Sequence, residues 1–186
     1  MRFVFIVIVV LFCFDTANAS SKMISYRNNN FNYGIAYPSN WETSNQSSVM
    51  QNNVFSVTNK DAVNVNVAAK LLGNDNRGRY NNITDVPNIR QNMKKLAETQ
   101  IGCKVLGSGY TTLSNRKAIW QKSVYHHNSL NQEVAIVVYQ VQALKDDVLY
   151  TLTAKVVSVN ECSANRKFNK YWNQIKNIIF TFSIDP

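Results

Sequence analysis

Few side chains in this sequence of 186 residues have the type and spacing to do chemistry. Its two histidines, His126 and His127, are adjacent near a strand end, so alternation sends their rings to opposite faces and they do not readily share one metal ion. The 11 acids show no spacing that marks a general acid and base pair. Gly107-Ser108-Gly109 has the small residues of a nucleophile or phosphate loop, but neither the G-x-S-x-G spacing nor the P-loop lysine pattern. Inside a strand it reads as a bulge or bend. The stretch Gly73 to Arg79 superficially resembles a calcium loop, yet Arg77 interrupts its acids and no Glu follows. No catalytic, cofactor-binding or metal-ligating residues are therefore assigned, and no cofactor is expected. An active site assembled from residues distant in sequence remains an alternative.

The remaining reactive groups are thiols, and their chemistry depends on compartment. Arg2, the apolar run Phe3 to Phe14 and the small residues of Ala17-Asn18-Ala19 read as a signal peptide over residues 1–19, cut between Ala19 and Ser20. The run is too short to cross the roughly 30 Å hydrocarbon layer as a helix, so no transmembrane segment is expected after the leader is removed. Phe12 stands before Cys13, where a lipoprotein signal requires a small side chain. The expected location is exported, periplasmic or secreted. Cleavage leaves Cys103 and Cys162, an even pair in an oxidising compartment, and a disulfide between them is the expectation. It would close a loop worth on the order of 4 kcal/mol in the chain-entropy account. No C-x-x-C spacing points to redox or zinc chemistry. Asn45-Gln46-Ser47 and Asn82-Ile83-Thr84 are sequons that a eukaryotic secretory pathway would glycosylate.

The elements that position these residues follow from periodicity. Residues 20–30 are polar and Asn-rich and read as a flexible lead-in, and residues 31–186 read as one domain. Phe31, Tyr33 and Ile35 alternate with polar or small residues up to a proline turn at Pro38. Val49 to Thr58 and Ala62 to Lys70 form a hairpin about Asn59-Lys60-Asp61. An amphipathic helix is capped at Thr84 or Asp85, carries Ile89, Met93, Leu96 and Ala97 on its apolar side, and ends at Gly102. A strand from Cys103 to Thr112 then precedes three long apolar runs, Arg116 to His127, Glu133 to Leu144 and Val148 to Val159, which read as an antiparallel meander. In the middle run Ala135, Val137, Tyr139 and Val141 share one side and Val134, Ile136 and Val138 the other, so both faces of the sheet are expected to be covered there. Ser163 caps a last helix whose stripe is Phe168, Tyr171, Trp172, Ile175, Ile178 and Ile179.

The opening Phe31-Asn32-Tyr33-Gly34-Ile35-Ala36-Tyr37-Pro38-Ser39-Asn40-Trp41-Glu42, the Arg116-Lys117-Ala118 strand entry and the order of elements resemble the Mog1/PsbP-like superfamily, as a bacterial exported member. The resemblance covers nearly all of the mature chain. It implies an α+β fold, an α/β/α sandwich with a central antiparallel sheet flanked by helices. Members include a photosystem II extrinsic subunit, a nuclear Ran-binding factor and bacterial envelope proteins of poorly defined role. The family shares no catalytic residues, and none is carried over to this chain.

The formal charge of +9, with a pI of about 9.5, suits anionic partners, but its basic residues are dispersed, with no run that marks a nucleic-acid arm. The sequence thus reads as an exported, non-catalytic binding or accessory protein acting through an unknown protein partner. A binder of anionic surfaces, lipid head groups or polysaccharide, is the alternative. What lines the protein's hollows separates these readings: Lys, Arg and aromatic residues favour binding, whereas a converging His and acid favour an enzyme.

Overall fold

The computed structural model describes residues 22–47, 52–129 and 132–185. The leader, the cleavage site at Ala19 and Ser20, and the expected strand start at Val49 lie outside them. Ten strands and two α-helices follow in the order β1 (Met23–Asn28), β2 (Tyr33–Pro38), β3 (Glu42–Ser47), β4 (Asn52–Thr58), β5 (Val63–Leu71), α1 (Ile89–Glu98), β6 (Cys103–Leu113), β7 (Arg116–Ser129), β8 (Gln132–Lys145), β9 (Val148–Ser158), α2 (Glu161–Phe180) and β10 (Ser183–Ile184). Every strand pair is antiparallel. The fold is α+β.

Seven strands make the main sheet in the order β3-β4-β5-β9-β8-β7-β6, and β1-β2-β10 make a small one. The turn between β8 and β9 is Asp146-Asp147, with φ of 48° and 62°, the left-handed pair that matches the twist of a two-residue hairpin. Registers assign every side chain of the main sheet to one of two faces. The first face carries Phe55, Val63, Val65, Val67, Leu152, Ala154, Val156, Val137, Val141 and Val124, all buried. The small sheet lies over its β4 side, where Tyr26 stacks on Phe55 at 3.8 Å between centroids. Helix α2 lies over its middle, packing on β9, β8 and β5. Of the stripe that the periodicity predicts, Phe168, Ile175, Ile178 and Ile179 are buried, joined by Ala164, while Tyr171 and Trp172 are half-buried.

The second face is covered unequally. Helix α1 and a short 3-10 turn at Ile83–Asp85 close one end, where Ile83, Met93, Ile119 and Leu144 form a separate apolar cluster. Elsewhere this face is polar, with Asn64, Asn66, Gln140, Gln142 and Thr151 along it, and Ile136 and Val138 are only half-buried. The expected cover on both sides of the middle run is therefore present on the first side and incomplete on the second.

Several expectations are corrected. Met23–Asn28 is strand β1, not a flexible lead-in: Tyr26 stacks on Phe55 and Asn28 is buried with its Oδ1 accepting from Phe31 N at 2.9 Å. Helix α1 begins at Ile89 rather than near Thr84, because Thr84 and Asp85 are used in the 3-10 turn, where Asn82 and Asp85 form a reciprocal capping box. Leu96 of its expected apolar side is 68% exposed, since Met93 and Ala97, four residues apart, already fill the line facing the sheet. The chain then turns into β6 through Gly102, whose φ is +75° and whose missing Cβ would meet the His126 carbonyl oxygen at 2.4 Å. The cap of α2 is Asn160, whose side chain accepts from Ser163 N at 2.8 Å, and Ser163 supplies only that amide.

These assignments separate two apolar helix residues by their cost. Ile175→Ala, at a fully buried site under the sheet, should lower the urea-unfolding free energy by about 2–5 kcal/mol, while Leu96→Ala should stay within about 0.5 kcal/mol. Equal losses would contradict the placement of either helix.

Candidate functional site

The first face of the sheet is not fully covered. Helix α2 packs on β9, β8 and β5, and the strip over β7 and β6 is left to side chains of the sheet itself. Trp120 on β7 is opposite Gly109 on β6, and Lys122 is opposite Gly107. The glycines make room for the indole: a Cβ on Gly109 would stand 2.7 Å from Trp120 Nε1, and one on Gly107 would stand 3.4 Å from the ring. Trp120 thus lies flat across β6. The bulge or bend expected at Gly107-Ser108-Gly109 is a register shift just before it, between Val105 and Gly107, with Leu106 the extra residue.

From Trp120 a half-buried aromatic shelf runs to the helix. Trp120 stacks on Tyr139 at 5.8 Å and 23°, Tyr139 meets Trp172 edge-on at 4.9 Å, and Trp172 stacks on Phe168 at 5.4 Å. Only Phe168 of the four is fully buried; the others keep part of a ring in water. Lys122 reaches from β7 to the helix, its Nζ 4.4 Å from the Phe168 ring centroid. Burial lowers its pKa, and no carboxylate contributes to that shift. A hollow between the shelf and the end of α2 is lined by Thr111, Thr112, Tyr139, Trp172, Lys176 and Phe180. Phe180 itself is 68% exposed.

The residues singled out by sequence are not brought together here. Cys103 and Cys162 are both free thiols. The expected disulfide fails on parity: Cys103 is opposite Tyr125 on the second face, whereas α2, with Cys162 in its first turn, packs on the first. Without the bulge Cys103 would share the face of Gly107 and Gly109; the extra residue turns it over. Its thiol is hydrogen-bonded with Tyr125 and Ser123, and burial pushes its pKa up, so it is a poor nucleophile. His126 Nε2 lies 3.3 Å from Glu161 Oε2, tying β7 to the first turn of α2. The converging histidine and acid that would mark an enzyme are thus present as a pair, but on the face opposite Cys103. The nearby hollow of about 310 Å³ touches both histidines, Tyr125 and Lys155 and has no acid in its lining. Among the described residues no three His, Cys, Asp or Glu side chains cluster as metal ligands.

A second hollow, of about 450 Å³, opens at the start of α1. Arg90 stacks over Tyr110 at 5.0 Å there and donates from Nη2 to the Ser108 carbonyl at 3.1 Å. Sequon Asn82 sits beside it, engaged in its capping box, and Asn45 lies on edge strand β3. Trp120, Tyr139, Trp172 and Lys122 carry no motif that sequence reasoning recognises. The available signal is the pairing of two glycines on one strand with a Trp and a Lys on the next.

No family model and no curated protein sequence matches this chain. Solved structures do. The solution structure of cyanobacterial PsbP from Synechocystis sp. PCC 6803 superposes with a TM-score of 0.55 at 11% identity, over 91% of this chain and 96% of that one. The Saccharomyces cerevisiae Ran-binding protein Mog1p superposes with a TM-score of 0.52 at 11% identity, over 89% and 96%. The fold is Mog1/PsbP-like. At this identity the likeness concerns the fold alone, and a Mog1/PsbP-like fold does not by itself choose a ligand. No helix among the described residues is long and apolar enough to cross a membrane.

The glycine–tryptophan contact makes a direct prediction. Gly109→Ala should displace the indole, lowering stability by about 1–3 kcal/mol and shifting the tryptophan emission. Gly73→Ala, with no atom within 4 Å of the added Cβ, should change neither. Emission unchanged in Gly109→Ala would mean that Trp120 does not lie on β6.

Proposed function

We propose that this chain is an exported, non-catalytic binding or accessory protein of the cell envelope or secreted space, acting through protein–protein contacts on a helix–sheet–helix sandwich. The observation that carries the reading is the aromatic shelf of Trp120, Tyr139 and Trp172 beside the sheet edge, with the cations Lys122 and Lys176 set into it. Tryptophan and tyrosine bury large area at low entropic cost and dominate protein interfaces, and here they are already held in place by stacking. Export is supported by Arg2, the apolar run Phe3 to Phe14 and the cleavage pattern before Ser20.

A second reading has its own observation. The outer face of α2 carries Arg166, Lys167 and Lys170 around a hollow of about 430 Å³ that also holds Asp61, paired with Lys170, and the net positive charge left there suits anionic lipid or polysaccharide. Binding of that kind weakens steeply with salt and does not depend on the shelf.

Capture from an envelope extract on immobilised mature chain separates the two. Proteins retained by the wild type and lost with Trp120→Ala or Trp172→Ala, both still folded by circular dichroism, support the protein-binding reading. Retention no greater than background, or retention insensitive to both substitutions, contradicts it.

A further inference from the structure

Strand β6 is the last strand of the main sheet on the shelf side, so half of its backbone groups face away from β7. In an antiparallel pair the N–H and C=O of one residue point the same way, and successive residues alternate. The Ser108 carbonyl is on the outward side, because it accepts from Arg90. Tyr110 and Thr112 therefore turn their backbone groups outward as well. Among the described residues no backbone group outside β7 bonds to either. Arg90 closes the edge at Ser108 and leaves the stretch beside Trp120 and Thr111 open.

That open edge runs along the shelf, and the charge on the shelf face is positive, while Asp85 shares the hollow at Tyr110 with Arg90 and Lys94 on the other face. Lys122 bridges β7 and α2, Lys176 lines the hollow next to Thr112, and Lys104 projects from β6 on the same face as Lys122. Lys122 is half-buried, its shift comes from desolvation with no carboxylate contributing, and the contact found for its ammonium among the described residues is the Phe168 ring face. A second copy of this chain, carrying the same +9, is repelled from such a surface.

We propose that the outward edge of β6 at Tyr110 and Thr112, together with the shelf of Trp120, Tyr139 and Trp172, receives an extended acidic segment of a partner protein. The segment adds as a strand through main-chain hydrogen bonds, lays alternate apolar side chains on the rings, and sets a carboxylate on Lys122. This inference rests on the protein-binding reading given above and narrows its partner.

Selection of a random displayed-peptide library on the mature chain tests it. The expected result is enrichment of β-prone sequences in which Asp or Glu alternates with apolar residues. Their affinity should fall about tenfold or more in Lys122→Gln, the scale of a charge-assisted bond, and recover in Lys122→Arg. It should also be abolished by N-methylation of alternate peptide amides. Lys122→Glu should select basic residues instead, which keeps the test independent of any loss of fold in a single variant. Enriched peptides that need Trp120 but carry no acids would overturn the acidic partner and leave the protein-binding reading standing. Affinity unchanged by N-methylation would overturn strand addition. No enrichment, with phosphatidylglycerol vesicles bound instead in a Lys122-dependent way, would overturn the proposal together with that reading.

Discussion

A single helix is too narrow for the sheet it covers. Seven strands spaced by about 4.8 Å span roughly 29 Å, whereas a helix about 10 Å across shields about two to three of them. Everything on the first face follows from that mismatch. Helix α2 takes the middle of the sheet, and β1-β2-β10 takes the β4 side, where Tyr26 and Tyr37 pack on Phe55. Among the described residues no helix or strand packs over the remaining strip on β7 and β6, and flat rings and the methylene stem of Lys122 close it. Covering a strip with side chains leaves them part-wet, which is why the proposed interaction surface lies there.

The same strip explains the glycines. A tryptophan laid across a neighbouring strand needs that strand to have no side chains under the ring, and Gly107 and Gly109 supply the space. The bulge at Val105 and Gly107 keeps the ladder while the strand bends around it, and it also decides which face Cys103 occupies. One inserted residue thus places the shelf on one side and the hydrogen-bonded Cys103 thiol on the other.

Much of this architecture was legible because burial is regular where packing is heaviest. The meander, the Asp146-Asp147 turn and the stripe of α2 follow period 2 and period 3.6 over long spans, and the strands and helix stand where those periods put them. Short or polar elements were not legible. Strand β1 is held by tertiary contacts of Tyr26 and Asn28, and β3 by pairing with β4, neither of which leaves a local pattern. Cap choice between Asn160 and Ser163 turns on a single bond. The cysteine pairing failed for a sharper reason: parity along β6 holds on each side of Gly107 but not across it, so no reading by alternation reaches from the shelf to Cys103. The shelf itself depends on which residues oppose each other across strands, information that register supplies and linear order does not.

The central claim is that Trp120 and Trp172 stand part-open in a positive field while the third tryptophan, Trp41, is buried at 4% exposure. Collisional quenching by an anion and a cation of similar size reads that field directly. Iodide should quench the emission of the mature chain far more strongly than caesium, and Lys122→Gln should narrow the difference. Equal quenching by the two ions, or emission that neither reaches, would contradict the account.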